Sequence, residues 1–211
     1  MDAREWDEKY AQADLVWGAP PNAVVVEQAT ALHPGRALDL ACGEGRNAIW
    51  LATRGWSVAA VDFSQVAIDK ARTVASRSPR SVRDRIHWVH GDVRTAPPEP
   101  GFDLILYVYL HLPAEERRAV LNLAVDALNE AGVLIVLGHD SANIADGVGG
   151  PQDPTILFTP DDIVEEIRDD LQVLVAEKRL RQTAAGTAID ALVVAAKPLL
   201  GTPADQPGLD D

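Results

Sequence analysis

The stretch Arg36–Ala52, RALDLACGEGRNAIWLA, starts as a short apolar run, breaks at Gly43 and Gly45, and continues with the spacing of an amphipathic helix. A strand that turns through glycines into a helix often holds a ligand, because glycine has no side chain to keep the ligand away from the backbone. Such loops commonly hold phosphates. Here Asp39 lies just upstream of the glycines and Glu44 lies between them. The stretch therefore predicts a binding loop that is poorly suited to phosphate.

Outside this stretch, short apolar runs alternate with segments of helical periodicity. The runs are continuously apolar, which is typical of parallel strands buried on both faces. Seven of them predict strands, at residues 37–41, 57–62, 86–90, 102–108, 133–138, 173–181 and 189–197. Helices are predicted at residues 46–53, 64–76 and 113–128, with another beginning at Thr159. The short QTAAGTA between the last two strands predicts a hairpin.

This order of elements predicts an α/β fold with a doubly wound, mostly parallel seven-stranded sheet and a C-terminal antiparallel hairpin. We expect one domain over residues 1–198. Residues 199–211 are rich in Pro, Gly and Asp and are expected to form a disordered tail. In such a sheet a ligand lies beyond the carboxyl ends of the strands, which is where the glycine loop falls.

The composition narrows the function. Of the 211 residues 47% are hydrophobic and 24% charged, as in a packed soluble domain. No apolar run is long enough to span a membrane and the N-terminus is charged, so we expect a cytoplasmic protein. The single cysteine, Cys42, fits a reducing compartment.

The net charge of −13 argues against nucleic acid, whose binders present clustered Lys and Arg. The one basic cluster, residues 77–85, is expected to be a solvated loop. The histidines lack metal-ligand spacing, so no metal is assigned, and the oligomeric state stays open.

Two further acids lie at the same edge of the predicted sheet. Asp62 ends the second strand and Asp92 follows the third. A carboxylate in this position suits a ribose, because it accepts hydrogen bonds from both adjacent hydroxyls. A glycine loop with a ribose acid occurs both in dinucleotide dehydrogenases and in methyltransferases that use S-adenosylmethionine.

The charge of the loop separates these two classes. A pyrophosphate would meet Asp39 and Glu44, and Ala48 stands where the dinucleotide fingerprint has its third glycine. The methionine end of S-adenosylmethionine instead carries an ammonium and a sulfonium, which an acidic field stabilises. The loop therefore favours a zwitterionic amino acid over a phosphate.

Four motifs, in order, resemble the class I S-adenosylmethionine-dependent methyltransferases: LDLACGEGRNA at residues 38–48, VDFS at 61–64, GDV at 91–93 and FDLILYVYLHLP at 102–113. The resemblance implies a Rossmann-like fold and S-adenosyl-L-methionine as the cofactor. It also implies which residues bind each part of the cofactor. These are Asp39, Ala41, Gly43 and Gly45 for the methionine portion, Asp62 for the ribose, and Phe63, Asp92 and Val93 for the adenine, with Asn47, Ser64 and Tyr107 completing the set.

The N-terminal stretch WDEKYAQADLVWGAPPN, residues 6–22, is similar to that of the tellurite-resistance and thiopurine methyltransferase-like subgroup, whose substrates are small molecules. Trp6 and Tyr10 are four apart and would share one helix face. We predict that a segment of about residues 1–30 acts as a lid, with Trp6, Tyr10, Trp17 and Tyr109 contacting the acceptor. The alternative is that these rings pin an N-terminal helix onto the sheet.

Three residues are candidates for a general base, namely His111, His139 and Asp140, the last two in a long loop that we predict to be a lid or substrate wall. The alternative is that each histidine only bonds the backbone at a strand end. A base is needed only if the acceptor arrives protonated.

The sequence thus predicts an enzyme that moves a methyl group from S-adenosylmethionine to a heteroatom (O, S or N) of a small aromatic molecule. The alternatives are an NAD(P)-dependent oxidoreductase and a catalytically silent S-adenosylmethionine-binding regulatory protein. The sequence YVYL stands where methyltransferases of nucleobase amines often have an Asn/Asp-Pro-Pro-Tyr/Phe element, which argues further against nucleic acid as a partner.

Overall fold

The computed structural model describes residues 2–13, 15, 16, 18, 20–95 and 99–199. The seven strands are β1 Arg36–Leu40, β2 Ser57–Asp62, β3 Ile86–His90, β4 Phe102–Val108, β5 Leu128–His139, β6 Gln172–Thr183 and β7 Gly186–Ala196. They form one sheet in the order β3-β2-β1-β4-β5-β7-β6. The first five strands run parallel, and β7 pairs antiparallel with both β5 and β6. The predicted fold class and hairpin are confirmed. Residues 200–211 of the predicted tail and Trp17 lie outside the described residues.

The helices are α1 Ala3–Ala11, α2 Ala23–Ala29, α3 Arg46–Thr53, α4 Gln65–Ala75, α5 Arg80–Arg83, α6 Ala114–Ala127, α7 Asn143–Asp146 and α8 Pro160–Ile167. The four helices predicted from periodicity correspond to α3, α4, α6 and α8. Helices α2, α5 and α7 were not predicted. The last two are four residues each, too short to show a helical period, and α5 lies in the segment expected to be a loop.

Each face of the sheet carries its own core. Side chains from α2 and α3 pack on one face, and side chains from α6 and α8 pack on the other. This explains why β4 is apolar along its length: Leu104, Ile105 and Leu106 all have 0% exposure, although they point alternately to the two sides.

A buried ion pair joins the two helices of the second core. The guanidinium of Arg117 on α6 donates to both carboxylate oxygens of Glu166 on α8, at 2.7 and 3.1 Å. Both side chains are nearly inaccessible, with 5% and 4% exposed. The Arg117 guanidinium also lies 5.4 Å from the ring centre of Phe158.

The hairpin strands are longer than predicted, at 12 and 11 residues. The strand β6 is an edge strand with one side exposed, so its outer half carries the polar sequence EKRLRQT and shows no apolar run. The extra length brings the tip of the hairpin to the carboxyl edge of the parallel strands. No helix among the described residues is long and apolar enough to cross a bilayer.

Candidate functional site

The glycine loop follows β1 in a left-handed backbone conformation, with φ of 55° at Ala41, 56° at Gly43 and 77° at Gly45. The N–H of Cys42 donates to the carbonyl of Val61 at 2.9 Å, which holds the loop against β2. A Cβ on Gly45 would lie 2.4 Å from the Trp88 ring. Glycine at position 45 is thus required by both its backbone angle and its packing.

Asp62 ties the glycine loop to the next helix. Its two carboxylate oxygens accept from the backbone N–H of Gly43 at 2.8 Å and of Ser64 at 2.9 Å. The side chain is buried, and burial raises its pKa while these hydrogen bonds lower it. Each oxygen has a second lone pair, so Asp62 can hold the loop and still accept from a ligand.

Asp39, near the end of β1, carries an incompletely bonded carboxylate. Its Oδ2 is buried and has no hydrogen-bond partner in the part of the chain that the structure describes. Burial, followed by the nearby charge of Asp62, raises its pKa to about 7. A buried carboxylate with an open lone pair is costly unless a donor arrives. An ammonium group would be a fitting donor.

The acid between the glycines is used differently from what the sequence suggested. Both oxygens of Glu44 accept from the backbone N–H of Val16, at 3.0 and 2.9 Å, and Lys70 Nζ lies 3.6 Å away. Nearby, Asn47 accepts from the N–H of Asn22 at 2.9 Å. The acidic field at the loop therefore comes from the carboxylates at the ends of β1 and β2. Glu44 and Asn47 anchor the N-terminal segment.

The residues assigned to the adenine side differ in their burial and in their hydrogen-bond partners. Phe63 is half-buried, and its carbonyl accepts from His90 Nε2 at 3.0 Å. The carboxylate of Asp92 is held by the Arg94 guanidinium, with a shortest contact of 2.7 Å, and this hydrogen bond lowers the pKa of Asp92. Val93 and Tyr107 belong to the core on the α6 and α8 side. Tyr107 has 0% exposure, and its Oη has no hydrogen-bond partner among the described residues.

The helix α1 docks beside the glycine loop and the start of α4. Asp7 accepts from the Ser64 hydroxyl at 2.5 Å and from the Val66 N–H at 3.3 Å. Lys70 Nζ donates to the carbonyls of Tyr10 and Ala13. The rings of Trp6 and Tyr10 lie 5.5 Å apart and tilted, as expected for one helix face.

On the other side of the glycine loop, Asp190 of β7 is the centre of a polar cluster. Its carboxylate accepts from Tyr109 Oη at 2.8 Å and from Arg181 Nε at 2.7 Å. His139 Nδ1 lies 3.2 Å from the other oxygen. Tyr109 has a left-handed backbone, with φ of 54°, and burial, then Asp190, raises its pKa. We refer to Tyr109, His139, Arg181 and Asp190 as the acceptor cluster.

The other two base candidates are engaged elsewhere. His111 Nε2 accepts from the backbone N–H of His139 at 3.1 Å, and burial lowers the pKa of His111 to about 4. Asp140 has 0% exposure; its Oδ1 accepts from the Ala142 N–H at 2.8 Å and lies 3.0 Å from Lys178 Nζ. Of the three candidates, His139 is the one whose side chain makes no hydrogen bond to the described backbone; its Nδ1 lies against Asp190.

Sequence reasoning missed Asp190 and Arg181. A signal for Asp190 was present, because it is a single acid within the apolar run AIDALVVAA, and a charged residue inside a buried strand calls for a partner. Arg181 gave no such signal in its polar strand. No group of three or more potential metal ligands occurs within the described ranges.

Comparisons with known proteins agree with this geometry. A family model described as a methyltransferase domain matches residues 37–132. The chain is 31% identical over 151 residues to thiocyanate methyltransferase 1 of Arabidopsis thaliana, which covers 69% of this chain and 64% of that protein. It is 22% identical over 147 residues to the probable S-adenosyl-L-methionine-dependent methyltransferase TehB of Haemophilus influenzae, covering 69% of this chain and 49% of TehB. The matches thus span about two thirds and about half of these two relatives.

Solved structures share the fold. The crystal structure of TehB from Haemophilus influenzae superimposes with a TM-score of 0.69 at 19% identity, covering 92% of this chain and 66% of TehB. The glycopeptide N-methyltransferase MtfA complexed with S-adenosyl-L-methionine gives a TM-score of 0.66 at 23% identity, covering 86% of this chain and 88% of MtfA.

Proposed function

We propose that the chain is a class I S-adenosylmethionine-dependent methyltransferase, of the kind that includes TehB, and that it transfers a methyl group from S-adenosylmethionine to a heteroatom of a small acceptor. The observation that carries this proposal is Asp39. Its buried Oδ2, unpartnered among the described residues, stands near the end of β1, beside the glycine loop. This favours an ammonium-bearing ligand over a pyrophosphate.

The residues of the loop fit such a cofactor. Asp39 would accept from the ammonium of the methionine portion, and Asp62 would accept from the ribose hydroxyls with its remaining lone pairs. Ala41 and Gly43 would line the loop. Phe63, which follows Asp62, and Asp92 would contact the adenine. Bound there, S-adenosylmethionine supplies a methyl group activated by attachment to a positively charged sulfur.

The protein's own contribution is positioning and exclusion of water. We assign the acceptor cluster, at the ends of β4, β5 and the hairpin, to the acceptor side. Trp6 and Tyr10 of α1 would close the site and offer flat faces to an aromatic acceptor. The N-terminal segment is held over the loop by Glu44, Asp7 and Lys70, which supports its assignment as a lid.

We also propose a cytoplasmic protein without nucleic acid as a partner. The single cysteine, Cys42, is buried and unpaired, as is common in a reducing compartment. The net charge of −13 disfavours association with a polyanion.

The test is a methyl-transfer assay with methyl-labelled S-adenosylmethionine and a panel of small thiols, phenols, amines and thiocyanate. We expect label in at least one small acceptor and stoichiometric S-adenosylhomocysteine. Binding of the cofactor with no transfer to any acceptor would instead indicate a regulatory protein. Binding of NAD or NADP in place of S-adenosylmethionine would indicate an oxidoreductase.

A further inference from the structure

We propose that His139 Nε2 is the proton acceptor of this enzyme, that Asp190 is the positioning residue that fixes it in that role, and that Gly150 lets the loop pack on the face of the His139 ring. The inference rests on the proposed function and deepens it: the site would take acceptors that arrive protonated, such as alcohols, phenols or amines. Neither Asp190 nor Gly150 is in the glycine loop or its neighbouring motifs.

Asp190 fixes the tautomer of His139. The carboxylate is buried and receives Tyr109 Oη at 2.8 Å and Arg181 Nε at 2.7 Å. Burial opposes its ionisation, but the neighbouring His139 and the hydrogen bonds from Arg181 and Tyr109 hold the pKa of Asp190 below its usual value. An ionised carboxylate only accepts. The His139 Nδ1 lies 3.2 Å from the Asp190 carboxylate without an aligned hydrogen bond to it. A lone pair on Nδ1 would face the charge of this carboxylate, so the proton belongs on Nδ1 and the lone pair on Nε2.

The ring of His139 is held from a second side by His111. The two rings stack with centres 5.4 Å apart and 14° between their planes, and His111 Nε2 accepts the backbone N–H of His139 at 3.1 Å. Burial and the neighbouring His139 lower the pKa of His111 to about 4. At neutral pH the His111 ring is thus uncharged. It holds the His139 ring in place and takes no proton itself.

Gly150 lies against one face of the His139 ring. A Cβ at position 150 would lie 2.7 Å from Cδ2, 2.8 Å from Nε2 and 2.9 Å from Cγ of the ring, so only glycine lets the loop approach the ring this closely. The loop is held in place by Asn143, whose Nδ2 donates to the Gly149 carbonyl at 2.9 Å and whose Oδ1 accepts from the Ile189 N–H at 2.7 Å. The loop that the sequence suggested as a substrate wall therefore stands directly against His139.

The proton step balances within these groups. As the acceptor heteroatom bonds to the methyl carbon, its O–H or N–H bond breaks, and the proton joins the lone pair of Nε2. The imidazolium that forms carries one positive charge, which the Asp190 carboxylate beside Nδ1 stabilises. The proton leaves to solvent when product departs.

The first test needs no acceptor. Nitrogen-15 NMR of the full chain reports which nitrogen of His139 carries the proton. We expect the Nδ1–H tautomer in the wild type and in the control Asp126→Asn, which alters an exposed carboxylate on α6. In Asp190→Asn we expect a mixture of tautomers. An Nε2–H form in the wild type, or an unchanged tautomer in Asp190→Asn, would overturn the role of Asp190.

The second test compares Gly150→Ala with Gly149→Ala. Both positions have left-handed backbones, with φ of 73° and 71°, but a Cβ on Gly149 would meet nothing within 4 Å. The two variants share the backbone strain, and only Gly150→Ala crowds Nε2. We expect Gly150→Ala alone to shift the Nε2 resonance and to reduce methyl transfer to a protonated acceptor. Equal effects of the two variants would contradict the assignment.

The third test separates proton removal from folding. We expect Asp190→Asn to slow transfer to phenol at least roughly 100-fold, the usual contribution of a general base, and to slow transfer to thiocyanate, which has no proton to lose, much less. Asp190→Glu should recover part of the phenol rate. Equal loss with both acceptors would show a structural role instead. If the wild type methylates no acceptor the proposed function fails, while the NMR result still decides whether Asp190 positions His139.

Discussion

Asp39 is the residue whose chemistry most directly links the loop to its ligand. In the free protein burial raises the pKa of Asp39 to about 7. A bound ammonium needs the carboxylate form and lowers that pKa, so binding releases the proton. The affinity for S-adenosylhomocysteine should therefore fall as pH drops below 7, by up to about tenfold per pH unit.

Calorimetry of S-adenosylhomocysteine binding between pH 5.5 and 7.5 measures this dependence. The control is Asp39→Asn, which retains an acceptor oxygen but cannot titrate. We expect weaker binding and a flat pH profile in this variant. The same slope in wild type and variant would assign the titration to another group.

Gly45 illustrates how packing, rather than ligand contact, can require a glycine. In Gly45→Ala the new methyl would lie 2.4 Å from the Trp88 ring, on a backbone with φ of 77°. Left-handed strain and overpacking together should lower the free energy of unfolding by roughly 2–4 kcal/mol. Gly149→Ala supplies the strain alone and should cost about 1–2 kcal/mol. Chemical denaturation compares the two variants, and an equal loss would mean that the Trp88 contact relaxes freely.

Among the elements, α1 packs beside the glycine loop that we assign to the cofactor. It is attached by Asp7 and Lys70 to α4, and the following Val16 is held by Glu44. Deleting residues 1–14 should weaken S-adenosylhomocysteine binding and slow methyl transfer, because these contacts cover the loop. The sheet and its two cores begin later in the chain, so cooperative unfolding should persist in a denaturant titration. Full activity of the shortened chain would exclude a lid, and loss of cooperative unfolding would show that α1 is part of the core.

We assign the ion pair between α6 and α8 to the stability of the fold rather than to ligand binding. Glu166→Gln leaves the Arg117 guanidinium buried with a neutral partner, so unfolding free energy should fall by roughly 3–5 kcal/mol. Arg168→Met, which removes an exposed ion pair with Asp169 at 3.9 Å, should change it by less than about 1 kcal/mol. Thermal unfolding of the two variants measures the difference. A Glu166→Gln variant as stable as the wild type would mean that Arg117 is satisfied by other groups.

The elements that the sequence predicted well are those with a strong hydrophobic pattern. The parallel strands are continuous apolar runs, and each of the helices α3, α4, α6 and α8 buries one apolar stripe. Both patterns can be recognised in the sequence. The outer half of β6 is an exposed edge, and α5 and α7 are single turns, so none of them carries such a pattern. The predicted strand boundaries were wrong where a strand continues beyond its buried residues, as in β6, whereas the predicted fold class was right.

At the scale of the whole molecule, the position of the site followed from the fold. The strand order places the ends of β1, β2 and β4 side by side, and motifs at those ends were recognisable in the sequence. Only two of the four residues of the acceptor cluster were predicted from the sequence. Tyr109 and His139 lie at strand ends, but Asp190 and Arg181 reach them through the register of the antiparallel hairpin, where His139 pairs with Asp190 and Asp190 with Arg179. Register depends on tertiary pairing, which local sequence does not report.

The central claim is that this chain binds S-adenosylmethionine and not a dinucleotide. Its most direct measurement is a calorimetric titration of the full chain with S-adenosylhomocysteine and, in parallel, with NAD, at neutral pH. The account predicts one site for S-adenosylhomocysteine, a loss of affinity of roughly 10- to 100-fold in Asp62→Ala, and no heat of binding with NAD. Binding of NAD without binding of S-adenosylhomocysteine would contradict it.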